Sequence, residues 1–128
     1  MRDDQLVAMR PHVQTAEGAL PIEAFQNDTL RPVIKMQHEV IMQAWHRYVL
    51  EQKGRFYKLN RPEQEAYLRH AYHTNRAFRA FNLELVCGVL TKVEWETFRL
   101  HEKELCKRIF TLVAQRVGTS SEAYVTAS

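Results

Sequence analysis

Six histidines make metal binding the first chemistry to weigh in this sequence. His70 and His73 stand three residues apart in "HAYH", a spacing that on a helix stacks two imidazoles one turn apart and can chelate a divalent ion. A third ligand would have to come from His38 or His101 on facing helices. The fuller ligand sets are missing. A di-iron bundle needs Glu-x-x-His twice, but the residues three before His70 and His101 are Tyr67 and Phe98. The stretch "HEVIM" puts Met42 where a His-Glu-x-x-His motif needs its second histidine. Beside Arg69 and Arg76, His70 and His73 read as residues of a solvated face, and no metal or other cofactor is expected.

His101 is a separate case, because it lies between Phe98 and Leu105 at helical spacing and is expected at the core or its edge. A buried neutral histidine needs a hydrogen-bond partner, for which Tyr48, Tyr72 and Gln37 are candidates. As a general base it would need a nucleophile and an orienting acid, and no such set stands at recognisable spacing. Gln37, Asn75 and Asn82 also fall on or beside apolar stripes. They read as buried amides that fix helix register or, with His101, as a polar pocket inside the fold. Cys87 and Cys106 form no C-x-x-C pair and read as small buried hydrophobes rather than a disulfide or a reactive thiol.

Arg69, Arg76, Arg79, Lys92, Arg99, Lys103, Lys107 and Arg108 make the later half basic, which raises nucleic acid as a partner. Glutamates are interleaved with them, and Glu65–Arg69 and Glu104–Arg108 stand at i,i+4, the pattern of solvated helix faces. The formal charge is only +3, so nucleic acid is the weaker reading. No glycine-rich phosphate loop or nucleophile elbow is found.

The elements that must position these residues read as helices throughout. "LPIEAFQND" forms a short extra turn with Ile22 and Phe25 on one face. A long helix then starts, with Thr29 as N-cap and Pro32 as its third residue, where a missing N–H loses no helical acceptor. Its apolar stripe runs through Leu30, Val33, Ile34, Ile41, Ala44, Trp45 and Tyr48, and Gly54 ends it in the left-handed region. "NRPE" is a capping box from Asn60 to Glu63, and "TKVE" is another from Thr91 to Glu94. A break is expected near Asn75, and a single helix is expected from Lys92 to Val117. No period-two run or hairpin signal points to a strand.

These elements predict an all-α fold, an up-down four-helix bundle with a short extra N-terminal helical turn. The domain spans residues 20–117, between a mobile arm at 1–19 and a flexible tail at 118–128. "MRDDQLVAMRPHV" lacks the apolar core of a secretory signal, and no apolar run approaches 18 residues, so a cytoplasmic protein without a membrane span is expected. Broad apolar stripes rich in aromatics suggest uncovered surface, hence a homodimer or another, unidentified protein partner.

The segments "FQNDTLRPVIKMQHEV", "FYKLNRPEQEAYL" and "GVLTKVEWETFRLHEKELCKRI" resemble a family of small, poorly characterised bacterial helical proteins, over about residues 22–117. The family's FQN-x-TLRP segment corresponds to Phe25–Pro32 and its LT-x-x-E segment to Leu90–Glu94. The resemblance implies a helical fold and brings no catalytic residue with it. Some members carry a glyoxalase label, but such enzymes are built from βαβββ modules with a metal on sheet residues, and nothing here reads as strand. The expected role is therefore binding or a structural or regulatory interaction. A metal- or small-molecule-binding bundle using the histidines is the first alternative.

Overall fold

A computed structural model describes residues 2–11 and 21–125. All regular structure among them is helical: α1 (Arg2–Met9), α2 (Pro21–Phe25), a π turn (Gln26–Leu30), α3 (Arg31–Met36), α4 (His38–Glu51), α5 (Arg61–Thr74), α6 (Arg76–Cys87), α7 (Lys92–Leu100) and α8 (Glu102–Thr119). Short 3-10 turns follow α4 (Arg55–Lys58) and α8 (Ser121–Tyr124). No described helix is long and apolar enough to cross a membrane.

The expected helix starts at Asn60 and Thr91 are found atom for atom. Asn60 Oδ1 accepts from the Glu63 N–H at 3.0 Å, and Glu63 accepts from the Asn60 N–H at 3.1 Å. Thr91 and Glu94 exchange the same two bonds. Asn75 ends α5 and caps α6, its Oδ1 accepting from the Phe78 N–H at 3.0 Å.

The start expected at Thr29 is not there. Helix runs unbroken from Pro21 to Met36, and Thr29 is buried inside it without capping anything. In a regular α-helix the Pro32 ring would crowd the carbonyl four residues back. The π turn immediately before it re-spaces those carbonyls, with the Arg31 N–H donating to Gln26 five residues back. Gly54 does take the left-handed region at φ 66°, but Lys53 shares it at φ 65° rather than closing the last helical turn. Their N–H groups donate to Leu50 and Val49, respectively for Lys53 and Gly54, the two bonds of a Schellman ending.

α8 is the central element, packing against α3, α4, α5, α6 and α7 with Leu105, Ile109, Val113 and Val117 fully buried. The expected single helix from Lys92 is instead α7 and α8, separated at His101, whose φ of −128° leaves the helical region. Trp45 centres the core, stacked on Tyr72 at 5.9 Å and meeting Phe56 edge-on at 5.2 Å. Its indole N–H donates to the Ala123 carbonyl at 3.0 Å.

That bond corrects the expectation of a flexible tail at 118–128. Gly118 lies within α8 and the 3-10 turn folds back, with Ala123 fully buried and Arg61 stacked over Tyr124 at 3.5 Å. Residues 126–128 lie outside the described residues. Of the expected arm at 1–19, Arg2–Met9 forms the helix α1, which docks on the fold. Arg2 donates to the Gly88 and Leu90 carbonyls, Asp3 accepts from the Lys92 N–H, and Arg10 grips Glu94 with two bonds of 2.6 and 2.7 Å. Residues 12–19 of that expected arm lie outside the described residues.

Candidate functional site

The four histidines do not converge. His70 and His73 are exposed on α5, and His101 is exposed at the α7–α8 break instead of facing the core. The half-buried His38 lies with Nδ1 3.2 Å from Arg116 Nη1. A guanidinium can only donate, so that nitrogen accepts and the ring proton sits on Nε2. His46 Nε2 lies 2.8 Å from the Glu122 carbonyl, so there it is Nε2 that donates. No group of three or more His, Cys, Asp or Glu among the described residues is arranged to hold a metal.

The four residues of the expected polar pocket serve separate purposes. Gln37 donates to the Leu85 carbonyl at 2.8 Å and ties the α3–α4 junction to α6. Asn75 is the cap described above. Asn82 is fully buried, its amide N–H donating to the Phe78 carbonyl one turn back at 2.8 Å while its Oδ1 finds no partner. The Tyr72 hydroxyl, buried in the aromatic core, also lacks one, and burial pushes its ionisation well above the ordinary tyrosine range. His101 stands in solvent, apart from the fully buried Asn82.

Both cysteines are free and partly buried. Burial, then the neighbouring Cys106 and Glu102, push the Cys87 thiol up to about 12, and burial raises Cys106 as well. Neither is a ready thiolate at neutral pH.

The described residues line three surface grooves that bear on function. Between α4 and α6, a groove of about 270 Å³ has Ala44, Tyr48, Ala77, Phe78 and Phe81 as its apolar walls. Tyr48 and Phe78 stack at 4.4 Å inside it. Arg47 crosses its rim, 5.4 Å above the Phe81 ring and 2.8 Å from Glu51. Phe81, 38% exposed, carries the apolar character onto open surface.

The other two grooves flank the exposed stripe of α8 and share Thr111 and Gln115. The one against α5 holds about 510 Å³, with Arg69 and His73 on its wall and Leu68 and Ala114 among its lining. The expected Glu65–Arg69 pair is not formed, because Glu65 lies 3.5 Å from Arg61. The groove against the π turn holds about 320 Å³ and collects Arg31, Lys107 and Arg108 around Gln26 and a single acid, Glu104. Glu104 and Arg108 do pair as expected, at 3.3 Å. Both grooves escape a reading that starts from histidines. Their one signal in the sequence is the polar stripe Glu104, Lys107, Thr111, Gln115 and Thr119 along one helix edge.

The described residues define an all-helical fold whose surface carries an apolar groove and two polar ones. Comparison with protein-family models, with curated proteins and with solved structures finds no match.

Proposed function

We propose that this chain is a self-associating interaction protein of the cytoplasm, working by binding rather than catalysis, whose main helices α4, α5, α6 and α8 form an up-down four-helix bundle. The observation that carries the reading is the α4–α6 face, where Phe81 stands exposed on the wall of a preformed apolar groove. A second copy suits it, because Arg47 and Glu51 on the rim give each protomer both signs of charge to offer its mate across a two-fold axis. The two free thiols fit a reducing compartment. Membership of the helical family that Phe25–Pro32 and Leu90–Glu94 resemble belongs to the same proposal. Its support is that these segments build the π turn and the α7 capping box.

Light scattering after gel filtration tests it. The wild type is expected to elute as a dimer at micromolar concentration. The variant Phe81→Arg, altered only at an exposed position of that face, is expected to be a monomer with an unchanged helical circular-dichroism spectrum. A wild-type monomer across the micromolar range ends the self-association reading.

A further inference from the structure

We propose that the trough along α8 binds a small organic phosphate, its phosphate held by Arg31, Lys107 and Arg108 and its body lying across Thr111 and Gln115 towards α5. The inference is independent of self-association, since the trough and the α4–α6 groove share no lining residue.

The argument rests first on charge. Three cations and one carboxylate line the 320 Å³ groove, so a positive excess remains after Glu104 has paired with Arg108. The π turn explains how that excess is held in place. Asn27 Oδ1 accepts from Arg31 Nε at 3.0 Å, and Gln26 Oε1 accepts from Arg108 Nη1 at 2.9 Å. The neutral amide oxygen of Asn27 thus orients the Arg31 guanidinium without cancelling its charge, while Gln26 and Glu104 together hold Arg108, and Glu104 offsets one of the three cations. A carboxylate in place of Asn27 would have fixed the same geometry and neutralised Arg31. Planar guanidinium donors match a phosphate with paired hydrogen bonds, and Lys107 adds a flexible point charge.

The second line of argument is shape. Thr111 and Gln115 border both grooves, so a ligand anchored among the cations needs to reach only across this one edge of α8 to enter the 510 Å³ groove. That groove offers Leu68 and Ala114 to an apolar body, and Arg69 and His73 to further polar groups. Each groove is of a size that holds a small molecule rather than a polymer.

The test uses the full chain labelled with nitrogen-15, titrated with phenyl phosphate, inorganic phosphate and benzoate at constant ionic strength. Phenyl phosphate is expected to saturate, with amide shifts confined to Arg31, Lys107, Thr111, Gln115 and their neighbours. It is expected to bind more tightly than inorganic phosphate, which lacks the body, and than benzoate, which lacks the phosphate. Arg31→Gln/Lys107→Gln, both exposed positions, is expected to lose about tenfold or more in affinity, as removal of two charge-assisted contacts implies. Thr111→Glu, which puts a carboxylate in mid-trough, supplies a second variant and is expected to abolish saturation. The proposal is overturned if no phosphate probe saturates at about 10 mM, a concentration matching only a few kcal/mol of binding. Benzoate binding as tightly as phenyl phosphate, or affinity unchanged in a folded variant, overturns it equally.

Discussion

Arg10 and Glu94 offer the sharpest energetic test, because their bond decides whether the N-terminal helix belongs to the fold. Arg10 donates two bonds of 2.6 and 2.7 Å to the Glu94 carboxylate, with side chains only 7% and 17% exposed. Glu94 → Gln keeps an acceptor for the Thr91 N–H, so the capping box survives while the charge pair is lost. Removing one partner of a buried pair leaves the other charged and poorly solvated, a loss of about 2–3 kcal/mol at this degree of burial. Arg10→Met keeps the apolar stem and leaves Glu94 with its capping bonds, so its cost is expected at about 1–2 kcal/mol. The double variant should cost less than the sum of the singles, with a coupling energy above about 1 kcal/mol. Arg47 and Glu51 serve as an internal control, since at 68% and 57% exposure their coupling should stay under about 0.5 kcal/mol.

Urea unfolding at several pH values supplies the readout. Burial alone would push the Glu94 carboxyl up, but hydrogen bonds from Arg10 and Thr91 outweigh it and hold it below the usual carboxylate range. Its folded pKa therefore lies below its unfolded one. The stability it contributes is present in full above the unfolded carboxylate value of about 4.3 and disappears as pH falls through the folded value. The gap between wild type and Glu94→Gln should accordingly be wide at pH 7 and close in acid. Singles that each cost under about 0.5 kcal/mol with no coupling would refute the docked helix. A gap that does not change with pH would refute the charge-pair account.

Two further predictions concern the backbone. Lys53 holds φ 65° without the freedom of glycine, so Lys53→Gly should stabilise the fold by about 0.5–1 kcal/mol. At the next residue, a Cβ on Gly54 would meet nothing closer than Tyr57 Cδ2 at 3.9 Å, so Gly54→Ala isolates the backbone cost. That cost should be about 1 kcal/mol in the destabilising direction, and equal signs for the two variants in thermal melts would contradict the Schellman ending. Thr29→Val replaces a hydroxyl that caps nothing, so its effect should stay within about 0.5 kcal/mol. A loss of about 1 kcal/mol or more in the same melts would restore the N-cap.

What was legible in the sequence divides by distance along the chain. Asn60, Thr91 and Asn75 each bond to a residue three positions on, so residue type and spacing contain the whole interaction. Trp45 finds Ala123, 78 residues away, and Arg10 finds Glu94, 84 residues away, so the docking of α1 and of the turn after α8 leaves no local trace. His101 shows a subtler failure. Phe98 and Leu105 are both buried, as their spacing suggested, but the break between them resets the helical phase and sends the intervening histidine to solvent. Its departure from the core also removed the residue around which a polar pocket had been imagined.

Pro32 shows how a correct periodicity can hide the wrong joint. Leu30, Val33 and Ile34 are buried as the stripe requires, so the inward face is right whether a helix begins near Thr29 or passes through it. Periodicity reports which side faces the core but not where the hydrogen-bond ladder changes its step. A proline within a helical pattern admits two solutions, a new start or a widened turn, and a capping residue nearby made the first attractive. The fold takes the second, and the difference bears on binding. A new start at Thr29 would have left Gln26 and Asn27 outside the helix. The widened turn instead builds them into a continuous helix, where Gln26 holds Arg108 and Asn27 holds Arg31 at the mouth of the basic groove. Pro32, which reads as a boundary marker, therefore lies behind a groove that keeps a net positive charge, three cations against the single acid Glu104. Chemistry in this protein is better sought at that turn than at its histidines.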